Sequence, residues 1–258
     1  MADWKIETGP DGQYPQSITL GFKANEAFDS DAAAKWFQRA MNSNDHHEAM
    51  SGVIGAAALE SKWGSLQKAR ELLMKVVETG RLDAIFNLGV SLLDEGNLSQ
   101  AEVYLQKANS PNAQNHVRGA ALNALGCLYI EKNDTKTAIN YFEQAAEFGE
   151  EKSNVNLAAL ALERGETNIA RSWLWEVREK SLDAQVQYAN LTHYLIEDLK
   201  KPWCFPEQLA ERARDFDVSV RRAVAGNETT PKDALERLKE DDDVSVKRIA
   251  TNTLENKK

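Results

Sequence analysis

Between Asp83 and Gly149 the apolar positions come in paired runs. AIFNLGVSLLDEGNLSQAEVYLQKA is followed by ALNALGCLYIEKNDTKTAINYFEQAAEFG, each an apolar helix, a short polar turn and a second apolar helix. Gly89 and Ala101 stand 12 residues apart, as do Gly126 and Ala138. A small residue at each of these places lets two antiparallel helices approach closely.

The same frame extends in both directions. Gly21, Ala57, Gly89, Gly126 and Ala158 fall in first helices, and Ala33, Ala69, Ala101, Ala138 and Ala170 follow 12 residues later in second helices. Three residues on stand Trp36, Leu72, Tyr104, Tyr141 and Trp173; four on, Phe37, Leu73, Leu105, Phe142 and Leu174; seven on, Ala40, Val76, Ala108, Ala145 and Val177. Offsets of 3, 4 and 7 describe one helix face turned to a core. The turn between the helices falls at Phe28, Gly64, Gly96, Asn133 and Gly165, a place that suits all but the phenylalanine. Ser65, Asn97 and Asp134 sit where an N-cap oxygen accepts from the first free amides, and Glu166 departs from that pattern. Gly80 and Gly149 take the place of left-handed C-caps. Cap, turn and core positions therefore agree on one register.

The flanks are less regular. Residues 1–16 carry Gly9-Pro10, Asp11-Gly12 and Pro15, turn signals that predict an irregular lead-in. QSITLGFKANEAF, residues 16–28, reads either as a strand-like piece or as a degenerate first helix. DAQVQYANLTHYLIEDLK, residues 183–200, predicts one more amphipathic first helix, ended by Pro202.

These features resemble tetratricopeptide repeats, and the AAEFG and NLG pieces are similar to the Sel1-like branch of that family. The resemblance spans residues 29–200, clearest at 82–113 and 119–150. It implies an all-α fold, a right-handed α-solenoid of helix-turn-helix units. Residues 201–205, KPWCF, read as a junction. Beyond it the period changes: Pro206 and Pro231 are 25 apart, and DVSVRR and DVSVKR are 26 apart. With VRRAVAGNETTP, residues 206–258 resemble the leucine-rich repeat variant family, which implies units of one helix against a shorter helical turn. Some members of that family hold an iron–sulfur cluster through cysteines, but Cys204 stands alone here, so no cofactor is expected.

Charge narrows the function classes. The net charge is −9; residues 201–258 balance at 12 basic and 12 acidic, so the excess lies in residues 1–200. An acidic body repels phosphates and argues against general nucleic-acid binding. Two cysteines make no disulfide framework, and no apolar run has the length of a membrane span or a secretion signal. A soluble, cytoplasmic protein is the expectation. No phosphate loop, GxSxG or HExxH motif is present. His46 and His47 are adjacent and point about 100° apart on a helix, and His116 and His193 have no neighbour at ligand spacing, so no metal site is expected. Cys127 lies on an apolar helix with no base one turn away, which predicts a packing role.

The remaining reading is a non-catalytic protein–protein interaction scaffold. In the tetratricopeptide family, partners dock on the concave face lined by first helices. The resemblance places Phe86, Val90 and Leu93, then Asn123, Cys127 and Ile130, then Lys152, Val155 and Ala159 there. Some members grip a C-terminal carboxylate with Lys and Asn; the matching places here hold Phe86, Val90, Asn123 and Cys127, so that clamp is not expected. A mostly apolar groove suits an amphipathic helix or an apolar peptide. The alternatives are a regulatory subunit of an enzyme complex, and nucleic-acid binding through a basic patch of Arg221, Arg222, Lys247 and Arg248. Against that patch, Asp217 and Asp243 read as helix caps in a charge ladder between stacked units.

Overall fold

The structure is a computed structural model that describes residues 4–10 and 12–257. Among the described residues it holds fifteen helices and no strand. The expectation for Asp11 and for the first three residues lies outside the described residues. The chain divides into two compact units, the first ending at Leu157 and the second starting at Ala158.

The first unit is a run of antiparallel helix pairs: α1 (Gln16–Glu26) with α2 (Ser30–Met41), α3 (His46–Trp63) with α4 (Leu66–Val77), α5 (Leu82–Asp94) with α6 (Leu98–Ala108), and α7 (Asn115–Glu131) with α8 (Thr135–Glu147). Each helix packs on the next, and first helices also meet across pairs, α1 on α3 and α5 on α7. Of the two readings of residues 16–28, the structure has the helix. The small-residue frame holds: Ala33, Ala69, Ala101 and Ala138 are fully buried, and so are Phe37, Leu73 and Leu105 four residues on. A side chain on Gly126 would run into the ring of Phe142, so the close approach is between that glycine and the residue four beyond Ala138. On Gly21 a Cβ would lie 2.5 Å from the ring of Phe37.

Ser65, Asn97 and Asp134 each accept from the amide three residues on, at Lys68, Gln100 and Thr137, as their positions predict, and Asp29 does the same for α2 at Ala32. Glu166 makes no such bond. The turns hold one surprise. Gly64 has φ −128° and ψ −120°, outside the left-handed region, whereas Phe28 has φ 62°. A phenylalanine in the left-handed region is strained. Its ring stays 73% exposed, edge-on to Trp63 at 6.1 Å, with Lys62 Nζ 4.8 Å from both rings.

Helix α9 (Glu151–Glu163) runs across the division between the units. The second unit continues with α10 (Thr167–Val177) and α11 (Leu182–Leu199), then α12 (Pro206–Arg212), α13 (Val218–Gly226), α14 (Lys232–Leu238) and α15 (Val244–Asn256). Its core joins Leu199 and Leu209 to Val220, Val224, Leu235, Leu238, Val246 and Ala250. Arg171 of α10 is fully buried. It grips Asp215 through two nitrogens, at 2.9 and 3.2 Å, and reaches Thr192 at 3.1 Å. Tyr188 donates to Asp217, and its phenol is pushed up to about 12 by burial and by that carboxylate.

Candidate functional site: a strand held on the first-helix face

Residues 4–9, WKIETG, form no regular element. Trp4 and Ile6 alternate with Lys5 and Glu7, and the apolar pair faces the core: Ile6 is 5% exposed and Trp4 packs on the same cluster. An extended segment laid on helices brings its own amides and carbonyls into partly buried surroundings, and each needs a partner.

Side chains from three successive first helices supply those partners. Asn87 of α5 accepts from Lys5 N–H at 3.0 Å and donates to Lys5 C=O at 2.7 Å. Asp83, one turn earlier on the same helix, accepts from Glu7 N–H at 2.8 Å. Gln114, the residue before α7, accepts from Thr8 N–H at 2.9 Å and donates to Thr8 C=O at 3.1 Å. His116 Nε2 donates to Ile6 C=O at 2.9 Å, and His47 Nε2 of α3 donates to Glu7 C=O at 3.1 Å. Seven main-chain groups of four consecutive residues are thereby bonded by side chains.

The ladder is itself braced. Asp83 is fully buried, and Arg81 holds it with Nη2 and with Nε at 3.0 Å. The third nitrogen of Arg81 donates to His47 C=O at 3.0 Å and Ser51 Oγ at 3.2 Å, which ties α3 to α5. Two side-chain contacts add to the main-chain ones: Lys5 Nζ lies 3.3 Å from Glu150, and Thr8 Oγ1 lies 3.1 Å from Gln114. Glu7 is the misfit. Burial, and then the charge of Asp83, push its carboxyl above the ordinary 4.5, and Arg81 only partly offsets them.

Of the inward positions implied by the resemblance, Lys152 lines the cavity beside this segment together with Lys5 and Thr8. Phe86 is 3% exposed and its ring belongs to the core, so it offers no surface to a partner. Val90 and Leu93 are half-buried against the same core. Asn123 and Cys127 meet Asn156 of α9, at 2.9 Å and 3.9 Å. Burial pushes the Cys127 thiol up, which keeps it an unreactive thiol. Ile130 and Val155 are half-buried, and Lys152 and Ala159 are exposed. The strand is bonded instead by His47, Asp83, Asn87, Gln114 and His116. Polar residues at Asp83 and Asn87, four apart in the apolar run LDAIFNLG, are the signal for them, since buried polar groups need partners.

Two residues of the basic cluster of the second unit, Arg221 and Arg222, are held in ion pairs. Arg221 forms a two-point bridge to Asp241 at 2.7 and 3.0 Å, and Arg222 meets Asp243 at 3.1 Å. Asp217 caps α13 and Asp243 caps α15. The caps fall where the spacing predicts, but the bases four residues on, Arg221 and Lys247, do not pair with their own caps: Arg221 turns to Asp241, and it is Arg222 that meets Asp243. Lys247 is half-buried and Arg248 exposed beside them. Among the described residues no helix is long and apolar enough to cross a membrane.

Comparison with known proteins agrees with this architecture. The family model of the tetratricopeptide repeat matches residues 82–115 and 119–148, the α5–α6 and α7–α8 pairs. No curated protein sequence matches the chain. A thermophilic tetratricopeptide-repeat protein of Thermus thermophilus is similar in structure, with a TM-score of 0.54 at 23% identity, over 68% of this chain and 97% of that one. MamA is similar with a TM-score of 0.45 at 19% identity, over 66% of this chain and 97% of its own. Among the described residues the chain is an all-α array of helical repeats, two of which, residues 82–115 and 119–148, match the tetratricopeptide model.

Proposed function

We propose that this protein is a non-catalytic adaptor that binds an extended segment of another protein on the first-helix face of its first unit. Repeats of this type serve protein–protein interaction in general. The observation that carries the finer reading is the polar ladder, which satisfies seven main-chain groups of an extended segment through His47, Asp83, Asn87, Gln114 and His116. A face that bonds main chain is built for an unfolded stretch of polypeptide, because a helix satisfies its own amides and carbonyls. The concave apolar groove centred on Phe86 gives way to this polar ladder, with Asn123, Ile130, Lys152 and Val155 as its flank toward α9.

In this reading the Sel1-like and leucine-rich-repeat-variant resemblances describe the repeat subtypes, residues 206–258 serve as the end of the array, and the protein works in the cytoplasm without a cofactor. The nucleic-acid alternative is disfavoured by Arg221 and Arg222, whose charges are already neutralised by Asp241 and Asp243.

The test is recovery of partners from cell extract by the parent chain and by Asn87→Ala, Gln114→Ala and Arg221→Glu with Arg222→Glu, each paired with a melting curve. Loss of the same partner in both ladder variants, with melts unchanged, supports the reading. Full recovery in both moves the interface off this face. Loss only in the arginine variant moves it to the second unit.

A further inference from the structure

The strand on the first-helix face belongs to this chain, and it fits its site imperfectly. Because the ladder bonds main chain, it accepts other sequences, and the side-chain sockets decide which. The Ile6 socket is nearly closed, 5% exposed, and takes one branched aliphatic side chain. Lys5 faces Glu150 at 3.3 Å, and Thr8 Oγ1 bonds Gln114 at 3.1 Å. Glu7 instead puts an acidic residue, half-buried, at the position whose N–H is bonded to the buried Asp83 at 2.8 Å. Two like charges in a half-dry site oppose each other.

Resting on the adaptor reading, we propose that residues 4–9 are an internal stand-in for the partner. The partner is an extended segment with a basic residue, a branched aliphatic, an uncharged residue and a hydroxyl residue in succession. It displaces the stand-in because it carries no acidic side chain at the residue whose N–H bonds Asp83. The raised carboxyl of Glu7 agrees with this mismatch. The strand is joined to α1 through Gly9, Pro10, Gly12 and Pro15, with Gly9 N–H bonded to Gln13 C=O at 2.8 Å and Gly12 at φ +75°. So short a tether keeps the stand-in at an effective concentration on the order of millimolar, which a partner must outcompete. Beside the strand a cavity of about 920 Å³, lined in part by Thr8, Gln114, Gly119, Phe148 and Lys152, leaves room for larger side chains than Thr8.

The test uses the full chain and two synthetic probes, a labelled, end-blocked peptide of residues 4–9 and its Glu7→Gln form, read by fluorescence anisotropy at neutral pH. Both peptides should bind the Ile6→Asp chain at least about tenfold more tightly than the parent chain, since the tethered competitor is unseated. The Glu7→Gln peptide should bind at least about threefold more tightly than the native one. Adding Asn87→Ala should abolish the gain. If Ile6→Asp lowers the melting temperature, Thr8→Pro unseats the strand instead by removing the N–H that Gln114 accepts. Equal binding to parent and unseated chains overturns the stand-in and leaves the adaptor reading intact. Equal binding of the two peptides overturns the demand for an uncharged residue. No binding of either peptide to a folded, unseated chain overturns the stand-in and the adaptor reading together.

Discussion

The two units each bury an aspartate against an arginine, and they use the pair differently. In the second unit Asp215 is closed on every side: Arg171 takes both its oxygens, and the amide of Asp217 also donates to it. In the first unit Asp83 is held by Arg81 as firmly, yet one oxygen points out to accept from Glu7, a residue 76 positions away on a tethered strand. A closed pair fixes the packing of its own helices. A pair with one acceptor turned outward fixes a site. The difference lies in where the last lone pair goes, and neither burial nor charge alone reveals it.

The contrast is most easily broken at Arg171. Arg171→Ala leaves Asp215 buried without its partner and should cost about 3–5 kcal/mol. A urea midpoint unchanged from the parent would mean that the network is dispensable. Next is the helix contact that carries the ladder. Ala138→Leu, at a fully buried position, should cost roughly 1–3 kcal/mol by overpacking. The same denaturation measurement checks it, and no shift would overturn the register of α7 on α8.

Asn87→Ala has a smaller and more local effect. It removes two hydrogen bonds to Lys5, each worth about 1 kcal/mol net. The amides of residues 5–8 should then exchange with solvent faster than in the parent while the melting temperature barely moves. A melt that falls as far as for Arg171→Ala would place the strand in the structural class and erase the distinction. The smallest effect is on pH. The Glu7 carboxyl is raised when the strand is seated, so the seated state holds more protons than the free one between the ordinary 4.5 and the raised value. Seating therefore weakens as pH rises through that window and strengthens as pH falls toward its lower edge. Glu7→Gln should flatten the pH dependence of exchange at residues 5–8; an unchanged slope would assign it to another group.

Much of the scaffold is legible in the sequence because its signals are local. Ser65, Asn97 and Asp134 cap the helices that their spacing predicts, since a cap acts within three residues. Gly64 and Phe28 are not legible. Which residue of a turn takes positive φ depends on how the helix end packs, and here the phenylalanine takes it and Gly64 does not. The site is legible in fragments only. Asp83 and Asn87 are out of place in an apolar run, and the alternation from Trp4 to Glu7 has the period of an extended segment. Assembling the site needs contacts across 40 to 110 positions, to which no spacing rule reaches. Phe86 follows the rule for inward positions and yet goes into the core, because the bulkiest apolar side chain of α5 is worth more there than on a wet face.

The bridges from Arg221 to Asp241 and from Arg222 to Asp243 also make a joint that can be copied. Each unit of the second repeat offers two cations forward, and the next returns two aspartates ahead of its long helix. Lys247 and Arg248 repeat the cationic half of that joint 26 positions on. A duplicate of residues 233–258 set behind α15, in the same phase, would bring copies of Asp241 and Asp243 to cations already in place. The second repeat is thus a modular part whose joint can be copied by cut and paste.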